Sequence, residues 1–273
     1  MNELSIWQKG AFLFDLDGCI YHGDQAAAGA HELINLLRTI NKKIRFITNN
    51  SSDNAIGIQT KLDQMGINVE ETEIITTTDY IGHFLLEEYG LSKVKVIGSQ
   101  TLKECIAKQG HTILDDFSRE VSDVIVIGRD VSFTYQKLKM IVNEALHGAN
   151  LIGTNPDMTH PGVNGELVPE TGSLVAAVES MIGRKIQSFG KPAPYLFEYG
   201  MSSCHVSPKE CVMFGDNFTT DMVGAIQLGM SAVWLTDRTE FHPNEAIDIN
   251  GNAPKIISSL QLLVEKYDPV LVK

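Results

Sequence analysis

The chain has 273 residues, 43% hydrophobic and 21% charged, and 34 acidic against 22 basic side chains give a net charge of −12. That length suits one large domain or two small ones, and the composition excludes intrinsic disorder. The negative field excludes nucleic acid and anionic membrane as partners, so a small anionic ligand needs a local cation to hold it.

Two periodicities alternate along the chain. Gly10–Leu16 is a short apolar run ending in acids and reads as a buried strand. Ala28–Asn41 sets Leu33, Leu37 and Ile40 on one helical face, and Lys43–Thr48 is a second strand. Ser52–Met65 predicts a helix that stops at Gly66; Glu73–Thr76 is a third strand, with a helix to about Glu88. Lys93–Ile97, Asp123–Ile127 and Leu151–Thr154 read as strands, and Thr101–Lys108, Thr134–His147 and Ser173–Ile182 as helices. The first pattern then resumes with strand Glu210–Gly215, helix Thr219–Leu228 and strand Ser231–Leu235.

Strand–helix alternation predicts an α/β fold with parallel pairing and right-handed crossovers. The middle hundred residues are long enough to bury a core of their own. They predict an inserted domain over 90–185, leaving 1–89 and 186–273 as the main domain; a single continuous α/β domain is the competing organisation.

No stretch approaches the ~18 consecutive apolar residues of a membrane span, and residues 1–10 lack the basic and apolar regions of a signal peptide. Cys19, Cys105, Cys204 and Cys211 fall at unrelated spacings, which predicts free thiols in a reducing cytoplasm. The eight histidines form no tight cluster for zinc.

Three predicted strands end in polar residues unlike their bodies, where open parallel sheets bind ligands. The first ends Phe14-Asp15-Leu16-Asp17-Gly18, the second Thr48-Asn49-Asn50-Ser51-Ser52, and a later one Gly215-Asp216-Asn217 with Asp221 five beyond Asp216. Gly190-Lys191-Pro192 lies just before that last strand. Asp15, Asp17 and Asp216 crowd three carboxylates at one sheet edge, and unpaired they raise one another's pKa. A hard cation resolves the conflict; oxygen ligands with few carboxylates suit Mg²⁺ shared with a substrate phosphate. Lys191 adds a second cation, Thr48 and the amides of the next helix offer hydrogen bonds to an anion, and Gly18 permits a sharp turn.

The constellation is a phosphate cradle beside a carboxylate nucleophile. Asp15 attacks phosphorus, and Asp17 protonates the leaving oxygen and then activates water. Asp216 holds the metal. Asp221 orients Lys191 or a metal-bound water, or is a plain helix N-terminal acid. Cys19 reads as a packed small residue, since the acids around it disfavour a thiolate, and His22 lines the entrance or serves a turn.

With these motifs in place the sequence resembles the haloacid dehalogenase superfamily of phosphohydrolases over nearly its whole length. Asp15-Leu16-Asp17-Gly18, Thr48-Asn49-Asn50, Lys191 and Gly215-Asp216-Asn217-Phe218-Thr219-Thr220-Asp221 are similar to its four motifs in order. The resemblance implies a three-layer α/β/α Rossmann-like core with an inserted α/β cap of the C2 type. It implies Asp15 as nucleophile, Asp17 as acid/base, and Mg²⁺ on Asp15, the Asp17 carbonyl and Asp216. Gly18, Thr48, Asn49 and Lys191 would bind phosphate, with Asn217 and Asp221 behind the metal.

Gly153-Thr154-Asn155-Pro156-Asp157, Thr171-Gly172-Ser173-Leu174 and Gly190-Lys191-Pro192-Ala193-Pro194 are similar to the NagD-like and p-nitrophenylphosphatase-like branch. That branch includes phosphatases of pyridoxal phosphate, phosphoglycolate, nucleoside monophosphates and sugar phosphates, with p-nitrophenyl phosphate as an artificial substrate. His160-Pro161 falls where pyridoxal phosphate phosphatases carry His-Pro beside the substrate, although a solvated loop histidine is the simpler role. Arg129 departs from the branch, which often has an apolar residue there; it reads a second anion on the substrate or pairs with Asp130 or Glu120. The cap would present Arg129, Asn155 and His160 to the leaving group, and the resemblance allows pairing of two copies through the cap.

The expected activity is cytoplasmic, Mg²⁺-dependent hydrolysis of a small phosphorylated metabolite. A phosphotransferase or phosphomutase using the same Asp15 is the nearest alternative. A receiver-type signalling module is another, but its phosphorylated aspartate ends the third strand, which here ends in Thr76–Thr78. A catalytically silent binding protein is the last, and every motif acid is intact.

Overall fold

The computed structural model of the chain describes residues 6–162, 166–236 and 252–267. β1 (Ala11–Phe14) leads through the short strands β2 (Tyr21–His22) and β3 (Gln25–Ala26) to α1 (Ala30–Thr39), β4 (Lys43–Thr48), α2 (Ala55–Gln64), β5 (Ile74–Thr76) and α3 (Thr77–Tyr89). Next come β6 (Lys93–Ile97), α4 (Gln100–Lys108), β7 (Thr112–Leu114), β8 (Val124–Ile127), α5 (Tyr135–Leu146) and β9 (Asn150–Gly153). The hairpin β10 (Thr159–Pro161) and β11 (Leu167–Pro169) precedes α6 (Thr171–Ile182) and β12 (Gln187–Ser188). The remaining elements are α7 (Tyr195–Cys204), β13 (Cys211–Gly215), α8 (Val223–Gln227), β14 (Ser231–Leu235), β15 (Lys255–Ile257) and α9 (Leu260–Glu265).

These elements form two compact units. The first takes the described residues of 1–48, 58–75 and 191–273, and the second takes 49–57 and 76–190. The boundaries differ from those expected at 90 and 185: residues 49–57, 76–89 and 186–190 also belong with the second unit. Hydrogen bonding explains the shift at α3. Buried His111, beyond α4, places Nε2 2.9 Å from the Gly82 carbonyl, while the Ser92 amide donates to its Nδ1 at 3.3 Å. A ring nitrogen that accepts there leaves Nε2–H as the donor to Gly82, tying α3 into the second unit.

The first unit carries a six-stranded sheet in the order β15-β14-β13-β1-β4-β5. β1 pairs in parallel with β13 on one side and β4 on the other. All four residues of β1, Ala-Phe-Leu-Phe, are buried, as a strand covered on both faces requires. Phe46, Phe14 and Phe214 are register partners across β4, β1 and β13, and their rings stack at 6.0 and 4.9 Å. Such aromatic contacts contribute about 0.5–1.5 kcal/mol each beyond burial, so they resist a slip of register. Asp15 and Asp216 follow this ladder by one and two residues. The strand order reverses between β1 and β13, where an open parallel sheet takes its ligand at the carboxyl ends.

The second unit has its own parallel sheet in the order β12-β9-β8-β6-β7. Ile97, Ile125 and Ile127 from the strands pack against Ile141 of α5 and Val178 of α6. Lys95 is fully buried in this sheet; its ammonium pairs with Glu144 and donates to the Ser118 carbonyl at 3.0 Å.

Two expected helices begin differently. The helix expected from Ser52 starts at Ala55, because the Asn50 side chain accepts from the Ser52 and Asp53 amides at 2.8 Å each and holds a turn. The helix expected over Thr219–Leu228 is a π-turn at Phe218–Met222 followed by α8. Among the described residues no helix is long and apolar enough to cross a membrane.

Candidate active site

Parallel pairing carries Asp15 past the end of β1, where its amide donates to the Phe214 carbonyl at 2.8 Å. Asp216 leaves β13 beside it. Among the described residues, Asp15, Asp216 and Asp221 each offer a carboxylate oxygen, all within 4.8 Å of one another. Lys191, 1% exposed, donates to Asp15 Oδ1 at 2.8 Å, Asp221 Oδ1 at 2.6 Å and the Ile47 carbonyl at 3.1 Å. Burial alone would lower this ammonium, but Asp15 and Asp221 outweigh it and hold its pKa above the usual lysine value.

The π-turn explains how Asp221 reaches the cluster. Asn217 caps the turn, accepting from the Thr219 and Thr220 amides at 3.0 and 3.4 Å, and its own amide donates to Asp221 Oδ2 at 3.2 Å. The wider turn brings the fully buried Asp221 carboxylate back beside the strand end. A Cβ on Gly215 would fall 2.1 Å from Asp221 Oδ2. Burial and the Asp15 charge push the Asp221 carboxyl up, while Lys191 opposes them. Asp221 thus lies in the first turn of its helix and also accepts from Lys191.

Asp216 lies at the exposed edge, yet its carboxyl is pushed up to about 6 by partial desolvation and then by the Asp15 charge. Gly18, at φ +80°, makes room for it: a Cβ there would stand 2.1 Å from Asp216 Oδ2. Two adjacent carboxylates that repel offer hard oxygen donors, which suit a hard divalent cation. The side-chain trio includes Asp221 in place of Asp17. The exposed Asp17 carboxylate instead accepts from the Tyr21 hydroxyl at 2.8 Å.

Thr48, the last residue of β4, is buried at 4% exposure. Cys19 is buried, and burial with the charges of Asp15, Asp221 and Asp216 pushes its thiol well up, so it is packing and not a nucleophile. All four cysteines are free thiols. His22 is exposed on β2.

The other expected residues fall in the second unit. Asn49 donates to Asp157 Oδ2 at 2.9 Å. Asn155, expected to meet the leaving group, is 2% exposed. Its amide donates to the Asn49 carbonyl at 3.0 Å and Thr171 Oγ1 at 3.3 Å, and its oxygen accepts from the Asp157 amide at 3.1 Å. Asn155 is thus a loop brace, because a short polar side chain buried here must satisfy its neighbours first.

Arg129 takes neither of its expected surface partners, since Asp130 pairs with Lys137 at 2.5 Å and Glu120 with Lys93. Arg129 Nε lies 3.5 Å from Glu170 Oε1, and His160 Nε2 lies 3.7 Å from the same oxygen. Burial raises the Glu170 carboxyl, although the Thr171 amide, Arg129 and His160 oppose the rise. Pro161 pairs its backbone with Leu167 in the hairpin.

Sequence reasoning missed Tyr21 and Glu170. Tyr21 had a signal, a Gly23-Asp24 turn flanked by Tyr21-His22 and Gln25-Ala26 just after the acids. Glu170 had only its place as the residue capping α6, which resembles any helix start.

Residues 12–112 match the model of the haloacid dehalogenase-like hydrolase family, and residues 188–261 match that of the HAD-hydrolase-like family. An acid sugar phosphatase of Staphylococcus epidermidis is 30% identical over 223 residues, 82% of this chain and 85% of that protein. A 4-nitrophenylphosphatase from Thermotoga maritima superposes with a TM-score of 0.84 at 28% identity, covering 97% of this chain and 99% of that one. NagD from Escherichia coli K-12, at 23% identity, shares the fold with a TM-score of 0.82 over 96% of this chain and 99% of its own. Convergence of Asp15, Lys191, Asp216 and Asp221 at the sheet's reversal point agrees with these likenesses, and the chain belongs to the haloacid dehalogenase-like hydrolases, as a phosphatase of their NagD and p-nitrophenylphosphatase branch.

Proposed function

We propose that the chain is a Mg²⁺-dependent phosphomonoester hydrolase that acts on a small phosphorylated metabolite through an aspartyl-phosphate on Asp15. One observation carries the reading: buried Lys191 fixes Asp15 at 2.8 Å while Asp216 from the adjacent strand end stands beside it. Asp15 would form a bond to phosphorus as the bond to the leaving oxygen breaks, and Asp17 would give that oxygen its proton. Water would then attack phosphorus, return a proton to Asp17 and release Asp15. Lys191 orients Asp15 and balances charge throughout, and Thr48 would donate to the phosphoryl oxygens, whereas the Gly18 amide is already taken by the Tyr21 carbonyl. Asp15, Asp216 and the Asp17 carbonyl would hold the metal. When bound, Mg²⁺ supplies charge neutralisation for the carboxylates and the phosphoryl oxygens.

The name of the Staphylococcus epidermidis relative favours a sugar phosphate as substrate, and the Thermotoga maritima relative favours p-nitrophenyl phosphate as a convenient assay ester. Arg129 and His160, gathered around Glu170, are the groups proposed to read the leaving group. Phosphate release from sugar phosphates, pyridoxal 5′-phosphate, phosphoglycolate and nucleoside monophosphates, with Mg²⁺ and with chelator, tests the proposal. Release should require metal and fall at least about a thousandfold in Asp15→Asn. A stable phosphoprotein with no release from any ester would point to phosphotransfer instead.

A further inference from the structure

Asp17, the proposed proton carrier, is held within the first unit. Tyr21 is buried at 1% exposure, and its hydroxyl donates to Asp17 Oδ2 at 2.8 Å. The backbone closes the same loop, with the Gly18 amide donating to the Tyr21 carbonyl at 2.8 Å. On the face of the Tyr21 ring sits Lys61 Nζ, 4.1 Å from the centroid. A cation over a phenol draws electron density from the ring and strengthens its O–H as a donor. Residues 58–75 belong to the first unit, so Lys61, Tyr21 and Asp17 lie within one compact body.

We infer that Tyr21, polarised by Lys61, is a positioning residue for the acid/base Asp17, an inference that rests on the phosphatase reading above. With the phenol donating to Oδ2, the mobile proton resides on Oδ1. In the first step that proton passes from Oδ1 to the leaving oxygen as its bond to phosphorus breaks. In the second, Oδ1 takes a proton from the attacking water as the bond from Asp15 to phosphorus breaks. The Tyr21 hydroxyl keeps its own proton in both steps. Its contribution is orientation, and orientation of an acid matters in proportion to how badly the leaving group needs a proton.

Leaving-group dependence is therefore the test. In Tyr21→Phe, kcat for an alkyl ester such as a sugar phosphate should fall about 10–30-fold, a fraction of the whole contribution of a general acid. The rate on p-nitrophenyl phosphate, whose aryl oxide leaves without much protonation, should fall less than about threefold, with KM for both esters unchanged. Lys61→Met should show the same pattern at about two- to fivefold, and it decides the matter if Tyr21→Phe does not fold. Equal losses on both esters, or no loss on either, would overturn the positioning role and leave the phosphatase reading intact. Failure of the wild-type protein to hydrolyse either ester would overturn both.

Discussion

Replacing Lys191 by methionine keeps most of the apolar stem and removes the ammonium with its charge and its three donated hydrogen bonds. The variant strands Asp221, which is fully buried, beside Asp15 without the cation that now lies 2.6 and 2.8 Å from their oxygens. Removing one partner of a buried pair costs about 3–5 kcal/mol, because the remaining charge stays desolvated. At about 2–4 °C per kcal/mol for a body of this size, Lys191→Met should melt roughly 6–20 °C below wild type. The loss has a defined pH sense. A carboxyl raised to about 6, as Asp216 is, binds its proton more tightly folded than unfolded, so its share of stability is present at low pH and lost as pH rises through 6. Without Lys191 nothing opposes the rise of the Asp216 and Asp221 carboxyls, and the destabilisation should be larger at pH 8 than at pH 5. Adding Asp221→Asn should recover at least about half of the loss, since the pair is then removed together. Thermal melts of the wild type and the two variants at both pH values give the answer. A fall of less than about 2 °C at pH 8, or a larger fall at pH 5, would refute the buried-pair reasoning.

Gly18→Ala should remain folded at a cost of about 1–2 kcal/mol for its left-handed backbone. Its Cβ would stand 2.1 Å from Asp216 Oδ2, so the carboxylate must move and kcat should drop at least about a hundredfold; a drop under threefold, measured beside a melting curve, counts against a close-fitted Asp216. Arg129→Ala should raise KM about tenfold for phosphoesters carrying a second anionic group and leave p-nitrophenyl phosphate near wild type, since one charge-assisted hydrogen bond is about 1.5–3 kcal/mol. Equal effects on both substrates would mean that Arg129 serves only Glu170.

The parallel sheet was legible because β1, β13 and β14 are apolar runs and β4 buries Ile44, Phe46 and Ile47 between polar residues. The acids at their ends stood out against those runs, so Asp15 and Asp216 could be placed from spacing alone. What escaped was set by contacts distant in sequence. α7 does carry a helical period, with Leu196, Gly200 and Cys204 on the face of Phe197 and Met201, but β15 and α9 are too short to show one, and the two hairpins are two or three residues per strand, below what alternation can reveal. α3 looks like the third crossover helix of the main sheet. Contacts from later in the chain, Cys105 with Asp79, His111 with Gly82 and Phe189 with Phe84, reveal its allegiance to the second unit. Asn155 was misread for the same reason, and so were the surface partners expected for Arg129. An asparagine in a loop and an arginine after a strand advertise polarity, not partners, and their partners Asn49 and Glu170 lie far along the chain.

Pairing of β1 with β13 has a consequence for biosynthesis. Ala11 is the register partner of Cys211, two hundred positions later. During synthesis Asp15 and Asp17 emerge early, when neither Lys191 nor Asp216 exists to meet them. The second unit finds β6, β8 and β9 within about sixty residues of one another, so it gains most of its sheet while the first unit still lacks its central partner. A chain halted before β13 would have an assembled sheet in the second unit and no working phosphate site. Incomplete translation products would thus be inert toward the metabolite pool, with hydrolysis arriving only once Asp221 has been made.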